Sequence, residues 1–391
     1  MRRFISFGPP LALVAHLVAC DPPTSDLDAA AGDSGVDDAS ATDTPMPDAS
    51  TPDDGGGTGC SAAELTTLEA EMAAALDEGI TDPDISTNPN FVLLLESDGG
   101  RRFTHAHGDA TPTTEYESAS TSKWVTAVVI LELVDRGVLS LDTRANELLP
   151  FWTETEVQLR HLLSFTSGYA DDPRCVNSPT ADFAACVEET FTSNVATATP
   201  PGSVYQYGSG HLQIAGLMAI RAAGAADWAE LFEAFKARTG LFATGRYDLP
   251  SLTNPRLAGG MTWTAEEYLG FLRALQRGEI LTADTTAALL ANQRGAATLT
   301  TSPAFAGMHE DWSYGFGNWL ECRTATEIGT YDCGPGERNS SAGAYGAYPF
   351  LDRDDHYFGV IAQQGRLGSG DEGTRLFRTI EDRAARWASC D

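Results

Sequence analysis

From Trp124 to Val134 the chain reads Trp-Val-Thr-Ala-Val-Val-Ile-Leu-Glu-Leu-Val, apolar on nearly every side of a helix rather than along one stripe. A helix of that kind is buried all round, so the rest of the fold must wrap it. The run is rich in β-branched residues that would suit a strand, but its length favours a helix, and Asp135-Arg136-Gly137 supplies the stop. Immediately before it stand Ser120 and Lys123, which on a helix share a face within the first turn. A polar pair is therefore predicted at the start of the most enclosed element.

Lysine is scarce here, and scarcity gives the pair meaning. Of the 25 basic residues, 23 are arginines. The other lysine, Lys236, lies in an amphipathic helical stretch and reads as a surface residue. Arginine keeps its proton at any workable pH, whereas a buried ammonium shifts its pKa readily and can become a base. A serine beside such an amine is an activated nucleophile, and a helix N-terminus favours the alkoxide over a protonated lysine. An ordinary polar pair capping a helix is the competing account.

Residues 1–19 carry Arg2, Arg3 and a short apolar stretch from Leu11 to Val18. Pro9, Pro10 and His16 break that stretch, so it reads as an export signal and not a membrane span. Leu17-Val18-Ala19-Cys20 resembles a bacterial lipobox. The resemblance implies cleavage before Cys20 and anchoring to a membrane through several acyl chains there; the alternative is a plain signal cut at a small residue. Residues 20–59 hold ten aspartates, no basic residue and no apolar period, the composition of an acidic disordered tether. Residues 60–391 keep −22 of the net charge of −30. That acidity argues against nucleic acid as a partner and against docking on anionic lipid through the domain surface.

With Cys20 assigned to lipid, six cysteines remain, an even number that suits disulfides in an exported chain. The simplest pairing joins Cys175 to Cys186 and Cys322 to Cys333, leaving Cys60 and Cys390 to clamp the terminal helices together. A zinc site is the rival use, but no CxxC spacing is present.

Along residues 60–391, Ser61 can cap a helix with Leu65, Leu68, Met72 and Leu76 on one side. Phe91–Leu95 and Arg102–His107 flank Asp98-Gly99-Gly100 as a hairpin. Helical and loop-rich sequence fills the middle. Strand signals return at Ala344–Phe350 and His356–Gln363, before a last amphipathic helix through Leu376, Phe377, Ile380 and Trp387. Strands at both ends with helices between predict an α+β fold, one sheet closed by both termini with a helical lobe inserted.

Several segments then carry a resemblance to the serine β-lactamase and penicillin-binding superfamily, nearest its class C-like branch, which also holds esterases and D-amino-acid peptidases. Ser120-Thr121-Ser122-Lys123 matches the first motif. Arg160–Gly168 is similar to the branch's LLxHTSG loop, with Phe165 where histidine is usual. Pro201-Gly202 followed by Tyr207-Gly208-Ser209 resembles its PG…YxN segment, with serine for asparagine. Ala258–Met261 and Tyr314–Gly317 match further signatures, and Ser341-Ala342-Gly343 takes the place of KTG or HxG. The resemblance implies an antiparallel sheet flanked by terminal helices, an α/β sandwich, and an acyl-enzyme mechanism without metal or organic cofactor. It gives Ser120 as nucleophile, Lys123 and Tyr207 as proton carriers, and the N–H groups of Ser120 and Ala344 as the oxyanion hole. Ser209, Ser341 and Gly343 fall where the family contacts substrate. Tyr205 is the rival for the role of Tyr207.

His105-Ala106-His107 imitates the HxHxDH run of zinc hydrolases but lacks the final histidine, and reads as two solvated strand histidines. The expected function is an extracytoplasmic serine hydrolase, lipid-anchored in the periplasm or at the cell surface, acting on a small ester, amide or peptide-like substrate. A β-lactamase or D-alanyl-D-alanine carboxypeptidase is the alternative within enzymes; a sensor acylated without turnover is the alternative outside them. Ser341 favours neutral substrates, because a hydroxyl supplies no cation for a substrate carboxylate. Arg338, three residues upstream, is the one side chain expected to be able to replace that charge.

Overall fold

The computed structural model describes residues 59–299 and 301–390. The expected export signal, Cys20 and the expected acidic tether up to residue 58 lie outside them. Ser61 caps helix α1 (Ala62–Gly79) through a capping box with Glu64, as its sequence predicts. Strands β1 (Phe91–Ser97) and β2 (Arg102–His107) form the expected hairpin, with Gly100 at φ +88° in its turn. Helix α2 (Ser122–Asp135) follows further along the chain, buried from Ser122 to Leu133. Its acidic residue, Glu132, is held by both arms of Arg238 at 2.8 Å, so its burial is compensated.

The inserted lobe includes α3 (Gly210–Ala223) and α4 (Ala265–Gln276), followed by the short α5 (Pro303–Met308). The chain then returns to the sheet through β3 (Ser313–Tyr314), β4 (Trp319–Leu320), β5 (Asn339–Ser340), β6 (Tyr348–Asp352) and β7 (Tyr357–Ala362). It ends in α6 (Glu372–Arg378) and α7 (Glu381–Ala388). The seven strands pair antiparallel in the order β2-β1-β7-β6-β5-β4-β3.

Alternation along a strand sends neighbours to opposite faces, and β1 uses both. Phe91, Leu93 and Leu95 pack with Met72, Leu76, Phe377 and Trp387 of the terminal helices. Val92 and Leu94 join the core of the lobe around α2. The sheet is thus covered on both faces, and the start of α2 lies on its lobe side.

Two boundaries differ from the sequence expectation. The strand predicted from Ala344 begins at Tyr348, because Gly343 and Gly346 (φ +95°) close a turn with the Gly346 N–H donating to the Gly343 carbonyl. The single terminal helix divides at Thr379 and Ile380, where the Thr379 hydroxyl donates to the Leu376 carbonyl. The expected bridges are present, with Cα separations of 4.9 Å for Cys60–Cys390, 5.5 Å for Cys175–Cys186 and 5.6 Å for Cys322–Cys333. None of the described helices is long and apolar enough to cross a membrane.

Candidate active site

Ser120 lies just ahead of α2, in a 3₁₀ turn over Ala119–Thr121 rather than in the helix itself. Ala119 adopts a left-handed backbone, φ +43°, unfavourable for a residue with a Cβ. Its surroundings hold the turn. Trp263 Nε1 donates to Thr121 Oγ1 at 2.9 Å, Tyr268 donates to the Thr121 carbonyl at 2.8 Å, and the Ser122 hydroxyl donates to the Ala119 carbonyl at 2.8 Å.

Lys123 is one residue into α2, 4% exposed, with Nζ donating to Ser120 Oγ at 2.9 Å and to the Ala258 carbonyl at 2.7 Å. Burial lowers its pKa to about 7; the positive charge of Arg256 adds to the effect, and Asp172 opposes it. The amine can therefore shed its proton near neutral pH.

Tyr207 is the tyrosine at this pair. Its ring centroid lies 4.7 Å from Lys123 Nζ. Burial pushes its phenol well above the usual range, offset in part by the nearby Ser120 hydroxyl. Trp319 stacks on it at 5.1 Å and Phe165 leans on it at 5.6 Å. Tyr205 is buried with its hydroxyl unpaired, so the rival candidate is a core residue. Phe165, which stands at the histidine position of the LLxHTSG-like loop, stacks on His211 at 4.9 Å. Burial lowers the His211 pKa to about 4. The neutral ring fits a donor at Nε2 to the Gln206 carbonyl and an acceptor at Nδ1 for the Ser167 hydroxyl, at 2.8 and 2.7 Å. It fastens the 165–168 loop to Gln206, next to Tyr207.

On the far side, Ser341 donates to the Ser120 carbonyl at 3.1 Å. Gly343 lies so close to the Ser120 turn that a Cβ would stand 2.6 Å from the Ser118 carbonyl oxygen. The Ala344 carbonyl accepts from Gly368, while its N–H has no acceptor among the described residues. Ser209 precedes α3, and its hydroxyl and the Gly210 N–H both lie close enough to the Asp172 carboxyl to favour its charged form. Asp172 is exposed as a residue, yet burial of its carboxyl against these groups raises its pKa, countered by Ser209, Arg256 and Lys123.

Arg338 is not at the site. Its guanidinium is buried on the terminal-helix side, bonded to Asp352 at 2.9 Å, Tyr357 at 2.8 Å and Glu381 at 2.5 Å. Strand alternation is the reason. Ser341 and Arg338 are three positions apart and face opposite ways. His105 and His107 are half-buried rather than solvated, bound separately to Asp77 at 2.8 Å and to the Pro89 carbonyl at 2.7 Å. Asp172, Arg256 and Trp319 carry no signal in the sequence, since each reaches the site from a separate loop or short strand.

A family model described as Beta-lactamase matches residues 87–381. A protein of Bacteroides dorei provisionally named a beta-lactamase is 26% identical, with a TM-score of 0.65; the match covers 82% of this chain and 98% of that one. EstCE1, described as a hydrolase with promiscuous acyltransferase activity, shares the fold at 16% identity and a TM-score of 0.65, over 82% and 100% of the two chains. The D-amino acid amidase of Ochrobactrum anthropi does so at 15% identity and 0.63, over 81% and 99%.

Proposed function

Because the chain belongs to the beta-lactamase family, we propose that it is a serine hydrolase that opens neutral esters or amides through an acyl-enzyme on Ser120. The observation that carries this reading is the 2.9 Å contact between Lys123 Nζ and Ser120 Oγ, made by an amine whose pKa is lowered to about 7. Neutral Lys123 takes the Ser120 proton as Oγ attacks the carbonyl carbon. The proton passes through the Tyr207 hydroxyl to the leaving atom. Water then attacks the acyl group, with the same residues running in reverse. In this reading the backbone N–H groups of Ser120 and Ala344 receive the oxyanion, donors carried by the 3₁₀ turn before α2 and by the turn that Gly343 and Gly346 close.

The substrate preference follows from charge. At the third-motif position the Ser341 hydroxyl is spent on the Ser120 carbonyl and Arg338 is committed to Asp352, Tyr357 and Glu381, while Arg256, the cation that does reach the site, faces the Asp172 carboxylate. A hydrogen bond involving a charged group contributes about 1.5–3 kcal/mol, so carboxylate-bearing β-lactams and D-alanyl peptides should lag by roughly ten- to a hundredfold. EstCE1, a hydrolase, and the D-amino acid amidase are neighbours in keeping with this choice. Action outside the cytoplasm, with lipid on Cys20, is part of the proposal; three disulfides suit an oxidising compartment.

Intact mass after a fluorophosphonate should give one adduct, on the peptide holding Ser120, and Ser120→Ala should abolish turnover. Lys123→Arg should lose about 10²–10⁴ in rate, close to Lys123→Ala, because arginine cannot yield its proton. An adduct elsewhere with an active Ser120→Ala refutes the assignment. A burst without steady product would identify an acylated sensor instead.

A further inference from the structure

Ser120 and Tyr207 stand at the edge of a cavity of about 560 Å³, within the size range of small-molecule sites. The cavity passes between α5 and the Ala342–Ala344 segment, with Met308, Trp312 and Trp319 among its apolar walls. Trp312 is fixed in place. Its Nε1 donates to Glu310 at 2.7 Å, and Arg378 grips that carboxylate at 2.6 and 2.8 Å. The two charged residues of the lining, Asp371 and Arg375, pair with each other at 2.8 Å. Arg375 also donates to the carbonyls of Asp84 and Gly307, both at 2.8 Å. The cavity thus offers an arm entering it mainly apolar surface and no unpaired charge, with His309 and the unpartnered Thr374 hydroxyl as further polar groups of its lining.

We propose that this cavity receives the leaving group, and that the substrate is an ester or amide whose leaving alcohol or amine carries an uncharged aryl or branched alkyl arm. The inference rests on Ser120 as nucleophile and Tyr207 as the group that protonates the leaving atom. For that transfer the leaving heteroatom must come within hydrogen-bond reach of the Tyr207 hydroxyl. Its substituent is then directed into the space that Tyr207 borders, between α5 and the wall that Trp312 and Trp319 contribute to. As the Oγ–C bond forms and the C–O or C–N bond breaks, the proton leaving Ser120 ends on the departing heteroatom. The arm leaves as a neutral alcohol or amine.

The test compares kcat/KM for methyl acetate, benzyl acetate and 4-carboxybenzyl acetate, with methyl phenylacetate carrying the same ring on the acyl side. The benzyl ester should exceed the methyl ester tenfold or more, and the carboxybenzyl ester should lose most of that gain. Trp312→Ala should cut the benzyl-to-methyl ratio at least threefold. Ala304→Phe, which fills the cavity from α5, should cut it by a similar factor should Trp312→Ala fail to fold. A flat ratio, or a gain confined to methyl phenylacetate, overturns the proposal while fluorophosphonate labelling of Ser120 leaves the acyl-enzyme reading standing. No labelling and no hydrolysis of any ester overturns both.

Discussion

Replacing Lys123 by methionine, which is apolar and of similar length, should abolish activity and change stability in a way that depends on pH. The lysine titrates near 10.5 when solvated and near 7 in the fold, with burial the main cause. Between those values the unfolded chain binds a proton that the folded chain does not, so wild-type stability rises with pH across the window. Below about pH 7 the lysine is charged in both states and the burial penalty is complete. At about 1.4 kcal/mol for each pH unit that separates the two titrations, the penalty is roughly 5 kcal/mol at pH 6 and falls to about 2 kcal/mol at pH 9. Lys123→Met removes that penalty and also leaves the Ala258 carbonyl without its donor, at about 1–3 kcal/mol. This second effect does not vary with pH. The variant should therefore be the more stable protein at pH 6, by about 2–4 kcal/mol, and close to wild type at pH 9. Urea unfolding of both proteins across this range, with disulfides intact, measures the difference. A gap that stays constant with pH would refute the depressed pKa, and with it Lys123 as a base.

The acid limb of kcat/KM should fall near pH 7; Asp172→Asn should move it to lower pH, because that carboxylate raises the affinity of Lys123 for its proton, and Arg256→Ala should move it higher. A pH–rate profile of each variant checks both signs. Ser341→Lys should raise kcat/KM for a cephalosporin about ten- to a hundredfold relative to a neutral ester, read by parallel chromogenic assays. Gly343→Ala should lower kcat by about 10²–10³ with the protein still folded, because its Cβ would stand 2.6 Å from the Ser118 carbonyl oxygen and displace the adjoining Ala344 N–H; circular dichroism beside the kinetics separates this from unfolding.

The parts of the molecule legible in the sequence are those with a local cause. An apolar run with a stop made α2 readable, Ser61 with Glu64 marked the start of α1, and a Gly-Gly turn marked the first hairpin. The pairing of Ser120 with Lys123 is a three-residue spacing that the start of a helix converts into a contact. Ala344 was harder. A glycine-rich run between strand-forming residues is compatible with a strand or a tight turn, and the closing bond from Gly346 to Gly343 chose the turn. Arg338 shows the limit of distance along the chain as a guide, since parity along the strand governs which face a side chain meets. Asp172 and Arg256 belong to loops whose paths depend on the whole lobe, and no periodicity announces them. The left-handed backbone of Ala119 is equally silent, as alanine has no preference for it.

The Cys60–Cys390 bridge joins residues 330 positions apart in sequence, and so turns the intervening chain into a covalent ring. A protease that cuts one exposed loop of a linear enzyme creates two fragments able to drift apart. Here a single cut anywhere between the two cysteines opens the ring and releases nothing, because both fragments stay attached through the bridge. Fragments held this close find each other as one molecule and not as two at dilute concentration. The nicked protein therefore keeps every residue of the Ser120 site in one covalent unit. In a protease-rich compartment that property lengthens working life in addition to what the crosslink contributes to the stability of the uncut fold.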